Sequence, residues 1–145
     1  MSNAELPTAA VSTEISVRFA ETDLMGIVHH GAYIVWFEVG RVAWMDAVAM
    51  PYREIAQGGN HLAVTGISAT YRASATFGDV LRIQTRLTKL RSRLVSFAYE
   101  ISHRDRAELL VTGSSDHVCV DLNGRTSKLP QPILERLWEG ANALK

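Results

Sequence analysis

The sequence predicts an α+β fold in which one antiparallel β-sheet wraps around a long central α-helix. Three observations carry that prediction: strand-like alternation ahead of residue 20, one helical stretch that is apolar on nearly every face, and four successive strand-like runs after residue 60.

Glu14 to Phe19 supplies the first strand, with Ile15, Val17 and Phe19 pointing one way and Ser16 and Arg18 the other. Ahead of it, Met1 to about Val11 is small, polar and without period, and "MSNA" has the look of a cloning remnant. Residues 1–11 are therefore expected to be a loose segment, and residues 12–145 a single domain, a length that supports one real core.

From Ala32 to Met50, the residues Tyr33, Trp36, Phe37, Gly40, Trp44 and Ala47 recur at helical spacing, and no proline intervenes before Pro51. The remaining faces carry Ile34, Val35, Val39, Val42 and Met45, leaving only Glu38, Arg41 and Asp46 charged, so the helix should be buried on most sides. Glu38 and Arg41, three apart, are spaced to pair across one turn. Gly40 costs about 1 kcal/mol against alanine inside a helix, which points to a sheet approaching the bare backbone.

A short turn of helix at Tyr52 to Ala56 and the break at Gly58-Gly59 lead into strands at about 61–76, 80–90, 94–103 and 108–121. Leu81, Ile83, Thr85 and Leu87 alternate with Arg82, Gln84 and Arg86, giving that strand one dry and one wet face. A terminal helix follows Pro130 and Pro132.

Composition narrows the function classes. Lys plus Arg and Asp plus Glu balance at 15 each, so no global field favours nucleic acid or an anionic membrane. One cysteine, Cys119, excludes an intramolecular disulfide framework and a multi-cysteine zinc site, which fits a cytoplasmic location. No apolar run reaches the roughly 20 residues of a membrane span.

The densest chemistry lies in "ETDLMGIVHHGAY", Glu21 to Tyr33. Asp23 stands between a strand end and a helix start, where aspartate also serves as an ordinary turn or capping residue. Gly26 permits a close backbone approach, His29 and His30 follow, and the helix start offers free N–H groups to an anion or developing oxyanion. Adjacent histidines should diverge, so at most one is expected to meet Asp23. His61, His103 and His117 show no spacing that joins them to this pair as metal ligands. "GSSDHVCV" sets Ser, Asp and His together without the Gly-x-Ser-x-Gly elbow a serine hydrolase needs. Lys89, Arg91 and Arg93 form a basic turn, a solvated hairpin that could also receive a phosphate of a large substrate.

With those residues in view, the chain resembles the hotdog-fold acyl-CoA thioesterases of the 4-hydroxybenzoyl-CoA thioesterase family, and within it the branch associated with the Tol-Pal cluster. The resemblance rests on Thr22-Asp23-Leu24-Met25-Gly26-Ile27-Val28-His29-His30 with Tyr33, and continues through "WFEVGR", "YRASATFGDVLRI", "FAYEI" and "HVCVDLNGRTSKLP". Ala32, Ser74 and His29 depart from the usual Asn, Pro and aromatic residue at their positions.

The resemblance implies Asp23 as catalytic carboxylate, either nucleophile or general base, with His30 orienting it, water or the acyl group. Gly26, Val28, His29, Tyr33, Arg91 and Arg93 become candidate substrate contacts. It further implies no metal or redox cofactor, coenzyme A being part of the substrate, and a homodimer or homotetramer with sites at the subunit interface. Acyl carrier protein thioesterase and non-catalytic acyl-thioester binder are the competing readings, and a dehydratase of the same fold is a further one.

Overall fold

The computed structural model describes residues 6–144. In chain order it comprises β1 (Val11–Ser16), a 3-10 turn (Phe19–Glu21), α1 (His30–Ala47), α2 (Tyr52–Gln57), β2 (His61–Tyr71), β3 (Val80–Leu90), β4 (Leu94–His103), β5 (Leu109–Val120) and α3 (Gln131–Ala143). The sheet order is β1-β3-β4-β5-β2, with every neighbouring pair antiparallel.

That order explains why the sheet wraps the helix. β3, β4 and β5 follow one another as hairpins, while β1 and β2 occupy opposite edges. The chain between the two edges must cross the whole sheet, and α1 is that crossing. Its inner face buries Tyr33, Trp36, Phe37, Gly40, Trp44 and Met45 in a core continuous with Leu81, Ile83, Tyr99 and Ile101. Phe37 stacks on Tyr99 at 4.4 Å between ring centroids. Gly40 meets β3 directly: a Cβ there would overlap the Thr85 hydroxyl and stand 2.9 Å from Ile83 Cγ2, so the expected close approach of sheet to helix is present.

Several expectations are corrected. Val17 is buried but Phe19 is 77% exposed, because the strand ends at Ser16 and the chain turns. Glu21 holds that turn by accepting hydrogen bonds from the Arg18 backbone N–H and Nε, both at 2.7 Å. Of the segment expected to be loose, residues 1–5 and the "MSNA" stretch lie outside the described residues, whereas Leu6 packs against the core and Val11 opens β1 opposite Thr85.

α1 is not buried on most sides. It packs chiefly on β1 and β3, leaving Val35, Val39 and Val42 exposed; Val64, Ile67 and Tyr71 of edge strand β2 are exposed as well, and Val42 and Val64 line one cavity. Among the described residues no helix is long and apolar enough to cross a membrane.

Candidate active site

Residues 22–28 form a small looped ribbon held from both sides. Thr22 bridges Val28, Ile27 bridges Thr76, and the Val28 N–H donates to the Ala75 carbonyl at 2.9 Å. The expected strand to residue 76 therefore stops at Tyr71, and residues 73–76 serve instead to anchor this ribbon. At its tip the Asp23 N–H donates to the Ile27 carbonyl and the Gly26 N–H to the Asp23 carbonyl, each at 2.9 Å. Gly26 has φ +80°, the left-handed conformation that favours glycine.

Asp23 Oδ1 accepts the Met25 N–H at 2.8 Å, a local bond that fixes the carboxylate's direction. The residue is exposed, and Oδ2 has no hydrogen-bond partner among the described residues. The carboxylate thus has one oxygen used for orientation and one free.

α1 begins two residues earlier than the apolar period alone predicts, because His29 caps it. The His29 ring Nδ1 accepts the Gly31 N–H at 3.0 Å, and the His29 N–H donates to the Glu21 carbonyl at 2.7 Å. The His30 N–H is left without an acceptor among the described residues. Contrary to the expectation of divergence, the His29 and His30 rings stack, with centroids 4.3 Å apart. Tyr71 secures this end of the helix by donating from Oη to the His30 carbonyl at 2.9 Å.

A cleft of about 220 Å³ opens between these parts, lined by Asp23, Ile27, Val28, His30, Tyr33, Tyr71, Ala73 and Ser74. Burial pushes the Tyr33 phenol above its ordinary value, so this ring presents an uncharged wall.

The structure brings Asp23, Val28, His30 and Tyr33 to one cleft. Gly26 shapes the loop without lining it, and His29 is occupied as the helix cap. Arg91 and Arg93 lie in the β3–β4 turn, beyond the far end of an 11-residue strand that runs roughly 33 Å from the Asp23 side, so one chain does not bring them to the cleft. Tyr71, Ala73 and Ser74 were not anticipated as lining residues; their signal was the turn-rich "YRASATFG" following a strand.

Two further constellations resolve. Glu38 and Arg41 form no ion pair among the described residues; Arg41 Nη1 instead donates to Tyr99 Oη at 3.1 Å. "GSSDHVCV" is a β-strand, with Ser115 and His117 bonded on the buried face and Asp116 turned away to accept from Ser96 Oγ at 2.6 Å. Cys119 is buried on that strand. Among the described residues no three His, Cys, Asp or Glu side chains converge to hold a metal ion.

The family model for the thioesterase-like superfamily matches residues 17–137. The chain belongs to the thioesterase-like superfamily. Among relatives in that superfamily, the Bacillus subtilis (strain 168) protein named "Putative acyl-CoA thioesterase YneP" is 34% identical over 108 residues, covering 74% of this chain and 78% of its own. The solved structure of hypothetical protein TT1821 from Thermus thermophilus aligns with a TM-score of 0.82 at 36% identity, over 87% of this chain and 95% of that one. A DHNA-CoA thioesterase from Staphylococcus aureus aligns with a TM-score of 0.86 at 28% identity, over 92% and 91%. The five-stranded sheet crossed by α1 is thus the hotdog fold of thioesterase-like proteins.

Proposed function

We propose that this thioesterase-like protein hydrolyses acyl-CoA thioesters, releasing a carboxylic acid and coenzyme A. The observation that carries the proposal is the pairing, in one cleft, of the Asp23 carboxylate with its free Oδ2 and the start of α1 with its unbonded His30 N–H. One group supplies electron density to a carbonyl carbon; the other receives the negative charge that then develops on the carbonyl oxygen.

In this reaction Asp23 either attacks the thioester carbonyl or takes a proton from the water that does. The carbon–sulfur bond breaks, the thiolate of coenzyme A leaves, and it is protonated from solvent; where Asp23 is the nucleophile, water then cleaves the acyl–Asp23 anhydride, freeing the carboxylic acid and restoring the carboxylate. His30 lines the cleft beside Tyr71 and orients the acyl group or water against Asp23. Oriented protein groups and water suffice for every bond made and broken. The motif around Asp23 supports membership of the 4-hydroxybenzoyl-CoA thioesterase family in its Tol-Pal-associated branch.

The protein acts as a homodimer in this reading. Val35, Val39 and Val42 on α1 are exposed, as are Val64, Ile67 and Tyr71 on an unpaired sheet edge, with Val42 and Val64 lining one cavity; these apolar side chains and the free backbone donors and acceptors of the edge can be satisfied by a second copy about a two-fold axis. The same pairing bears on Arg91 and Arg93, since their end of one chain is carried toward the cleft end of the other.

Release of free thiol from short, long and aromatic acyl-CoAs tests the activity, with the matching acyl carrier protein esters run in parallel. Hydrolysis of the coenzyme A esters is the expected result. Hydrolysis of carrier protein esters alone would transfer the reading to that substrate, and retention of every ester would leave a binding protein.

A further inference from the structure

The second half of α1 and the start of β2 enclose another cavity, of about 350 Å³, within the size range of small-molecule sites. Met45, Leu62 and Phe97 give it apolar walls, while Arg41, Glu38 and His117 add polar groups. A pocket meant only for a hydrocarbon tail gains nothing from such groups, because each buried polar atom costs free energy unless it is bonded.

The polar groups form a directional chain. Arg41 Nη1 reaches Tyr99 Oη at 3.1 Å, Tyr99 Oη reaches Ser115 Oγ at 2.5 Å, and Ser115 Oγ reaches His117 Nε2 at 2.9 Å. A guanidinium only donates, so Tyr99 Oη accepts from Arg41 and has its own hydrogen to pass on. Ser115 takes that hydrogen bond and passes its own to His117 Nε2, which must then be unprotonated, so the neutral ring carries its hydrogen on Nδ1. The opposite polarity would leave the hydroxyl hydrogen of buried Tyr99 without an acceptor. His117 is only 2% exposed, and its Nδ1 has no partner among the described residues. The fully buried side-chain atoms without a partner are Trp44 Nε1 and Thr85 Oγ1 among the described residues, so His117 Nδ1 is reached from the cavity: an oriented N–H with no protein acceptor faces it, close to an Arg41 that pairs with no carboxylate among the described residues.

We infer that this cavity receives the far end of an acyl group bearing a hydrogen-bond-accepting oxygen, with the His117 Nδ1–H and the Arg41 guanidinium as its donors. The inference rests on the acyl-CoA hydrolase reading and its two-fold pairing. Within one chain Arg41 lies eight residues beyond Tyr33, roughly 12 Å along the helix. A two-fold axis through the middle of β2 brings the Val64 end of one strand alongside the Tyr71 end of the other, so the cavity of one subunit opens beside the cleft of its partner. Glu38 on the same lining separates two sources of the oxygen: a hydroxyl accepts from the two donors and donates to Glu38, whereas a carboxylate meets its negative charge.

The test compares thiol release from octanoyl-, 8-hydroxyoctanoyl- and octanedioyl-CoA by the native protein, His117→Leu and His117→Gln. One hydrogen bond to an oriented donor on the cavity wall corresponds to about a tenfold preference in kcat/KM for the hydroxylated ester in the native protein. That ratio should fall to about one in His117→Leu and stay between in His117→Gln, with KM carrying the change; a preference for octanedioyl-CoA would assign the oxygen to a carboxylate. Equal ratios in native protein and His117→Leu, or a native preference for octanoyl-CoA, would overturn the inference. A second readout needs no turnover and no His117 variant: ring 15N spectra of Asp23→Asn should show a neutral His117 protonated at Nδ1, whose resonance moves with an oxygenated ester and not with octanoyl-CoA. A shift without any hydrolysis by the native protein would sink the hydrolase reading and keep the pocket. Absence of the shift with both oxygenated esters would sink the pocket whatever the activity.

Discussion

Gly40→Ala probes the contact that sets α1 against the sheet. A Cβ at Gly40 would overlap Thr85 Oγ1 and approach Ile83 Cγ2 to 2.9 Å. Both neighbours are β-branched and stiff at χ1, and β3 is paired on both sides by β1 and β4, so neither can swing aside cheaply. Overpacking a core costs about 1–3 kcal/mol, and a double contact with rigid groups belongs in the upper half of that range. Alanine returns about 1 kcal/mol of helix propensity. The net loss is about 1–2 kcal/mol, or about 2–8 °C in melting temperature for a domain of this size. Urea denaturation at one fixed protein concentration reads it as a lower midpoint with an unchanged slope. Thr85 Oγ1 is buried without a hydrogen-bond partner, so Thr85→Ala in the Gly40→Ala background should recover much of the loss, with a coupling above about 0.5 kcal/mol in a double-mutant cycle. A Gly40→Ala protein more stable than the native one, or strict additivity with Thr85→Ala, would refute the close approach of α1 to β3.

Three further outcomes follow from the same structure. Burial alone would raise the Asp79 carboxyl, but the Thr76 N–H at 2.9 Å and His103 Nε2 at 3.4 Å outweigh it and hold the group below its ordinary value. Its stabilisation is therefore present above the unfolded carboxylate range and lost as pH falls through the folded value, so Asp79→Asn should weaken the fold at pH 7 and flatten the acid limb below about pH 4 in chemical denaturation. Burial, then the Arg41 charge, push the His117 imidazolium down to about 4. Between that value and about 6.5 the unfolded chain holds a proton the folded chain lacks, so stability rises with pH across the window, by up to roughly 3 kcal/mol, and His117→Gln should lose that slope. Val39→Asp places a charge on the exposed face of α1 and should shift the sedimentation mass from that of the proposed dimer to that of a monomer; a dimer mass retained in the variant would exclude that face from pairing.

The fold was legible where periodicity alone decides. β3 and β4 begin and end as their alternation predicts, because alternate residues of each, such as Leu81, Ile83 and Leu87 of β3 and Val95, Phe97, Tyr99 and Ile101 of β4, are buried on one face. Periodicity failed where a tertiary partner redirected the chain. Phe19 continues the alternation of β1 but lies past its end, in a turn fixed by the Arg18–Glu21 bond. Ala73 to Thr76 look extended in sequence yet serve the Asp23 ribbon, and α1 starts at His30 because a histidine ring, an uncommon cap, accepts the Gly31 N–H.

The candidate cleft was half legible for a related reason. Asp23, Val28, His30 and Tyr33 lie within one local stretch, so the motif kept them together. Tyr71, Ala73 and Ser74 arrive from a distant strand end that only the sheet order brings near. The chain from Arg41 through Tyr99 and Ser115 to His117 draws on one helix and two strands, and no spacing in the sequence announces it.

The central claim is that Asp23 drives thioester hydrolysis at the start of α1. The most direct measurement is kcat for the best acyl-CoA with native protein and Asp23→Asn, matched by circular dichroism and melting temperature. Asparagine keeps the size of the side chain and an oxygen for the Met25 N–H while removing the charge, so the account predicts a fall of at least about 100-fold, the scale of general base catalysis, with the fold intact. A kcat within a few-fold of native would contradict it and place the reacting group elsewhere in the molecule.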